Sequence, residues 1–161
     1  MEYLDIVDEN DQVIGQASKD DIYRQSLRHR IVHVLIFIDD GKMVLQKRSN
    51  QVSFCPNHWS TAVGGHVQAG ENYEKAAIRE YQEELGTNSN LELIGKAAYS
   101  ASDSPNKFLT IFKTQFNGPF KPDPTVVSEI GMFDMVKIKN MINNGDKFHP
   151  ELIFILKKYY L

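Results

Sequence analysis

The sequence has a single cysteine, Cys55, in 161 residues, so neither an intramolecular disulfide nor a cysteine-built zinc site is available to it. A lone thiol suits a reducing compartment, and a cytoplasmic location is expected. Positive charge is not in excess either: 18 Lys and Arg stand against 21 Asp and Glu, a formal net charge of -3. No sequence-wide field therefore exists for a nucleic-acid backbone or an anionic membrane, and any polyanionic ligand must be met locally. No specific nucleic-acid partner is expected. Apolar runs stay short of the ~18 residues that a membrane helix needs, and MEYLDIVDEN has neither the basic start nor the apolar centre of a signal peptide. Internal repeats, low-complexity tracts and Ser/Gly linkers are missing as well, so one domain over 1–161 is expected.

What is present is the composition of a globular chain, 42% hydrophobic and 24% charged. Tyr3 to Val7, the polar Asp8-Glu9-Asn10-Asp11 and Val13-Ile14-Gly15 read as a hairpin. Ser18 with Asp20 and Asp21 reads as the cap and acidic first turn of a short helix ending near Leu27. The β-branched run Ile31 to Ile38, the turn Asp39-Asp40-Gly41-Lys42 and Met43 to Gln46 give the strongest hairpin signal. Trp59 to Val63 reads as one strand leading into Gly64 and Gly65. Asn72 is the expected N-cap of a helix over Tyr73 to Leu85, with Gly86 as its stop. Strands are expected at Leu91 to Tyr99, Phe108 to Phe116 and Glu129 to Phe133, and helices at Val136 to Asn143 and Pro150 to Tyr160. The fold class is mixed α/β.

The central helix raises an electrostatic problem. At about 100° per residue, Glu80 at 0° puts Glu83 near 300° and Glu84 near 40°, so three carboxylates share one arc. Ile78, Tyr81 and Leu85 fall between about 100° and 160°, an expected core stripe, while Ala76 and Ala77 flank the acidic face as small residues. Like charges at these spacings cost roughly 0.2–0.5 kcal/mol per pair, and a divalent cation reverses the sign. Oxygen-only ligation selects Mg²⁺ or Mn²⁺, which combine carboxylates with water and substrate phosphates. The alternative is a solvated acidic face.

The surrounding residues favour the ion. From Gly65, five residues lead to Glu71, seven more to Arg79-Glu80, and Glu83-Glu84-Leu85-Gly86 follows. This resembles the Nudix hydrolase family, whose motif reads G-x5-E-x7-R-E-U-x-E-E-x-G-U with U bulky and apolar. Every fixed position matches; Tyr81 and Thr87 depart at U positions, where no catalytic group is involved. The resemblance implies a Nudix-type α/β/α sandwich with a mixed β-sheet and a hydrolase that cleaves a pyrophosphate bond by metal-activated water. It implies that Glu80, Glu83, Glu84 and the Gly65 carbonyl hold Mg²⁺ or Mn²⁺, and that Arg79 orients a glutamate. Glu71 then fixes the loop against the helix through Arg79, and Gly86 ends the helix. The proton acceptor is either a motif glutamate, most simply Glu83, or Glu129 in VVSEIGMF, where the family often has a downstream acid.

Around the motif, LRHRIVHVLIF, LQKRS and WSTAVGGHVQAGE are similar to the branch of the family that includes isopentenyl-diphosphate isomerases. Those enzymes carry a catalytic cysteine immediately before the motif glycine; Gly64 stands there here. Cys55 is a different position, and hydrolysis is the favoured activity, with an isomerase or a non-catalytic nucleotide-binding regulatory domain as alternatives. His29, His66 and Glu129 fall at positions resembling isomerase metal ligands, and His66 is a candidate for contact with substrate. Lys47 and Arg48 end a strand expected near the pocket, as phosphate contacts or as plain surface charges. Trp59 or Phe54 is a candidate for stacking on a base, against a core or gate role. The expected partner is a small-molecule pyrophosphate, such as a nucleoside diphosphate linked to another moiety, and the resemblance allows a homodimer.

Overall fold

Alternation along one strand divides the interior into two layers. In the computed structural model, which describes all residues 1–161, the chain begins with β1 (Tyr3–Val7), β2 (Val13–Ser18), α1 (Lys19–Arg24), β3 (His29–Phe37), β4 (Met43–Arg48), β5 (Trp59–Thr61) and β6 (Val63–His66). It continues with α2 (Tyr73–Leu85), β7 (Glu92–Ala101), β8 (Ser104–Gln115), β9 (Val127–Phe133), α3 (Met135–Asn143) and α4 (Pro150–Tyr159). Val32, Val34 and Ile36 of β3 join Ala76, Ala77, Tyr81 and Leu85 of α2 in one apolar layer. Ile31 and Leu35 join Ile138 and Met141 of α3 and Leu152, Ile155 and Leu156 of α4 in the other. Successive side chains of a strand point to opposite faces, so this one apolar run supplies both layers of an α/β/α sandwich.

The seven-stranded sheet is mixed. β3 pairs in parallel with β8, from His29 opposite Lys107 to Phe37 opposite Gln115, and β8 pairs antiparallel with β7. On its other edge β3 meets β6 over Ile31–Val34 and β4 only at Ile36 and Phe37. β4 then pairs with β5 on one side and β9 on the other. The single strand expected over Trp59 to Val63 is therefore two, because the chain changes partner at Ala62, from β4 to β3. That switch brings Gly64, Gly65 and His66 beside α2.

The N-terminal hairpin, β1 with β2, is tied down at several points. Leu4 bridges to Gln68, and the Val7 amide donates to the Arg28 carbonyl at 3.0 Å. Asp11, at the hairpin tip, accepts from Arg30 Nε at 2.7 Å, Tyr73 Oη at 2.7 Å and Lys96 Nζ at 2.8 Å. One buried carboxylate thus joins the hairpin to β3, α2 and β7. The short helix stops at Arg24, earlier than expected near Leu27, because Ser26 enters the left-handed region (φ 54°) and the Leu27 amide turns back to the Ile22 carbonyl. No helix is long and apolar enough to cross a membrane.

Helix α2 corrects the expected division of faces. Ile78 is 41% exposed, while Ala76 and Ala77 are fully buried. The small alanines let α2 lie close on the sheet, and the buried arc runs from Ala76 through Glu84 to Leu85. Glu80 and Glu84 therefore sit within the packed face, not on a separate solvated one. The ends are as expected: Asn72 Oδ1 accepts from the Lys75 amide at 2.8 Å, and Gly86 adopts φ 67°. A Cβ at Gly86 would also meet Lys121 Cβ and its carbonyl oxygen at 2.9 Å. Gly86→Ala is expected to lower stability by about 1–2 kcal/mol from left-handed strain and crowding, and Asn72→Ala by about 1 kcal/mol from the lost cap; urea unfolding followed by circular dichroism reads both.

Candidate active site

The motif folds around close approach. Gly65 lies against Glu80 so tightly that a Cβ there would collide with the carboxylate, which explains why only glycine fits. Glu84 is buried, and its Oε1 accepts from Gln46 Nε2 at 2.6 Å while Gln46 also donates to the Ala62 carbonyl at 2.9 Å. Burial raises the carboxyl of Glu84 well above the ordinary range, and the neighbouring Glu80 raises it further. Glu80 is raised chiefly by its own burial. Both carboxyls are raised, because two adjacent desolvated carboxylates cannot both ionise cheaply.

Arg79 gathers the remaining acids. Its Nε and Nη2 meet Glu71 Oε2 and Oε1 at 2.8 and 2.9 Å, a bidentate pair, and Nη2 also donates to the His66 carbonyl at 2.9 Å. Nη1 donates to Glu80 Oε1 at 2.9 Å and to Glu83 Oε2 at 3.2 Å. Partial burial pushes Glu71 upward, but Arg79 and the Gln68 amide outweigh it and hold the carboxyl below its usual range. The fork locks the Gln68–Glu71 loop to the helix. Glu83 is 57% exposed at the side chain and faces the cavity.

A cavity of about 980 Å³ opens beside the motif. Gly65, His66, Arg79, Glu80, Glu83 and Glu84 line it, together with Gly64 and Arg48. Lys47 and Glu129 do not: they are cross-strand neighbours on β4 and β9, and strand alternation turns Lys47 away from the side of Gln46 and Arg48. The Lys47 ammonium lies over the Trp59 ring, 5.7 Å from its centroid. Trp59 is buried in the core, edge-on to Phe133, so of the two aromatic candidates only Phe54, 46% exposed, borders the cavity. Glu71 and Gly86 lie behind the wall, and Cys55 is not part of the lining. Three downstream acids do reach the cavity, Asp103, Asp123 and Glu151; the Asp123 amide donates to the Glu84 carbonyl at 3.0 Å.

The two histidines stack, their ring centroids 5.6 Å apart. His66 Nε2 lies 2.6 Å from Tyr23 Oη, and His29 Nδ1 donates to the Leu27 carbonyl at 2.9 Å, leaving its buried Nε2 without a partner. Burial lowers both rings, His29 to about 4. Glu129 is not with them, so the combination of His29, His66 and Glu129 is not formed.

Sequence reasoning missed the opposite wall. His33 Nε2 donates to Glu151 Oε1 at 2.8 Å, its Nδ1 lies 2.7 Å from Thr61 Oγ1, and Lys107 Nζ donates to Glu151 Oε2 at 2.9 Å. All three charged or polar side chains are buried. Burial alone would raise Glu151; His33 and Lys107 reverse this and hold it far below the usual carboxylate range. The signal was there in part: His33 interrupts the apolar run IVHVLIF and Lys107 leads into FLTIF, and a polar residue at an inward strand position requires a partner. The partner, 118 and 44 residues away in sequence, was not readable.

The donor set of the motif fits a hard divalent cation: carboxylate oxygens and a glycine carbonyl, with no soft ligand. No three acidic, histidine or cysteine side chains are gathered closely enough to hold an ion unaided.

Comparison with known proteins agrees with this geometry. The NUDIX domain model matches residues 27–153. An uncharacterised Nudix hydrolase of Streptomyces coelicolor is 33% identical over 152 residues, covering 93% of this chain and 83% of that protein. Isopentenyl-diphosphate Delta-isomerase 2 of Photorhabdus laumondii is 31% identical over 148 residues, covering 89% and 84%. The crystal structure of DR0079 from Deinococcus radiodurans superposes with a TM-score of 0.86 at 26% identity, covering 99% of this chain and 100% of that one. With the motif assembled on its loop and helix and the domain match spanning most of its length, this chain belongs to the Nudix hydrolase family.

Proposed function

We propose that this chain, as a single catalytic unit over 1–161, is a Mg²⁺- or Mn²⁺-dependent hydrolase. It cleaves the phosphoanhydride of a nucleoside diphosphate linked to another moiety, or of a related organic pyrophosphate. The observation that carries this reading is the buried Glu80–Glu84 pair packed against Gly65, with Glu83 beside it on the same cavity wall. A protein has little reason to desolvate two adjacent carboxylates at a cavity unless a cation is to offset their charge.

A divalent cation held by Glu80, Glu83, Glu84 and the Gly65 carbonyl would neutralise the diphosphate and lower the pKa of the attacking water. Gln46 fixes Glu84, donating to Oε1 while anchored on the Ala62 carbonyl. Arg79 is a positioning residue: with Glu71 behind it, it sets the orientation of Glu80 and Glu83. Glu83 is the general base, since it is exposed to the cavity and Glu129 is not. Arg48 meets phosphate oxygens from the floor, and Phe54 offers an aromatic face at the rim.

The kinship with an isomerase is weighed against Gly64. A Cβ there would stand 3.2 Å from His33 Nδ1, at the cavity surface, so the position is accessible to substrate but carries no group that can move a proton. Hydrolysis needs nothing from it.

Glu83→Gln is expected to lower kcat by about 10²–10⁴-fold with the fold retained. The measurement is phosphate release with Mg²⁺ from a panel of nucleoside-diphosphate-linked compounds and isopentenyl diphosphate, with far-ultraviolet circular dichroism as control. Unchanged turnover in the variant, or isomerisation in place of release, would overturn the reading. Glu71→Gln removes the charge behind Arg79 and is expected to weaken Mn²⁺ binding about 10–100-fold. Electron paramagnetic resonance of free Mn²⁺ reads this without turnover; wild-type affinity would count against the positioning role.

A further inference from the structure

The wall opposite the motif contains a buried carboxylate that the hydrolytic chemistry does not use. Glu151 occupies the first turn of α4, and both of its oxygens are already taken, one by His33 and one by Lys107. The Lys107 side chain is only 5% exposed, yet it borders the cavity and lies over the Tyr23 ring, 5.8 Å from its centroid. An ammonium has three N–H donors; Glu151 accepts from one. His149, the N-cap of α4, is 8% exposed and also borders the cavity. Its Nδ1 accepts from the Glu151 amide at 3.1 Å, so Nε2 carries the proton. Arg48 completes the group: its Nε donates to the Phe54 carbonyl at 3.0 Å, leaving the terminal nitrogens for the cavity.

The wall is therefore rich in unused donors at Lys107, His149 and Arg48, while each oxygen of Glu151 already holds one donor. Asp103, the nearest free carboxylate on this side, stands exposed at the rim in the turn between β7 and β8. A nucleobase edge mixes donors and acceptors and would leave this set poorly matched. A tetrahedral phosphoryl group, with only acceptors and a full negative charge, matches it. A ligand that meets these cavity-facing donors together is favoured over one that leaves them to water.

We propose that the wall formed by Lys107, His149 and Arg48 around Glu151 binds a phosphoryl group on the part of the substrate remote from the scissile phosphoanhydride. The preferred substrate is then an organic pyrophosphate anionic at both ends. This inference rests on the hydrolase reading for its substrate but not for the site itself. Glu151 has a defined role in it: it holds the Lys107 ammonium in place, and His33 and Lys107 each cover one of its oxygens.

The site can be tested apart from catalysis. With a chelator present, the motif carboxylates repel anions, so inorganic phosphate titrated into the full chain reports the opposite wall alone. Calorimetry is expected to show saturable single-site binding, weakened at least tenfold in Arg48→Gln and in the double variant Lys107→Gln/Glu151→Gln. The double change removes the buried pair together and leaves no lone charge; should it fail to fold, Arg48→Gln at its half-buried strand end carries the test. Glu83→Gln should bind phosphate like the wild type. No saturable binding, or binding lost in Glu83→Gln and retained in Arg48→Gln, overturns the proposal. Acetate competing as well as phosphate overturns the phosphoryl assignment. Metal-dependent hydrolysis without phosphate binding sinks this subsite and leaves the hydrolase reading standing; phosphate binding without hydrolysis of any panel compound does the reverse.

Discussion

Desolvation of the Glu80–Glu84 pair is the constraint on which the rest of the site depends. Two unit charges 4 Å apart repel by about 4 kcal/mol at the effective dielectric of a protein surface, and more where water is excluded. The chain accepts that cost because α2 is drawn onto the sheet by Ala76, Ala77, Tyr81 and Leu85, and the acids lie inside the same arc. Gly65 must be glycine because the carboxylate of Glu80 occupies the space of its missing side chain. Gln46 is required for the same reason from the other side, as the neutral donor that a buried acid needs. Arg79 then divides its fork between Glu71, which it grips, and Glu80 and Glu83, which it steadies. Remove the close packing of the helix and none of these contacts has a cause.

Carboxylates meet opposite fates across the cavity. Glu84 and Glu151 are both buried, yet one is driven up and the other down. The difference lies in the neighbours: Glu84 faces another acid and a neutral amide, whereas Glu151 faces His33 and Lys107. A carboxylate kept poised for a missing positive partner marks a place where charge is to be supplied. One already paired with Lys107 and hydrogen-bonded to His33 works as scaffold for them. The same physical cost of burial thus has opposite outcomes on the two walls of one cavity.

The motif was legible because its chemistry is local: Gly65 to Gly86 is one loop and one helix, and spacing alone fixes which residues share a face. The helix and its caps at Asn72 and Gly86 were readable for that reason, as was the order of strands and helices. The assignment of faces was not, since Ile78 is apolar and exposed while Glu84 is charged and buried. Hydrophobic periodicity assumes that charge stays outside, and a functional helix breaks that assumption. The split of β5 from β6 was hidden because partner exchange at Ala62 is a property of the sheet. Lys47 and Glu129 were drawn toward the pocket by their place in the sequence, and strand alternation turned them away. His33, Lys107 and Glu151 come from three distant elements; two of them could be noticed as polar residues within or beside apolar runs, but nothing local joins them.

The relation to an isomerase sharpens what the fold leaves open and what single residues close. A chain 31% identical to such an enzyme over most of its length shares the larger part of its framework with it. Moving a double bond requires a proton donor and an acceptor placed at carbon. Gly64 presents only backbone toward His33, and both nitrogens of that ring are already occupied by Thr61 and Glu151. Cys55 stands apart from the lining. What the cavity does present at its other wall is the acidic set Glu80, Glu83 and Glu84, on which the proposed attack on phosphorus rests. Local side-chain chemistry, not the shared framework, therefore decides between breaking the phosphoanhydride and rearranging what it carries.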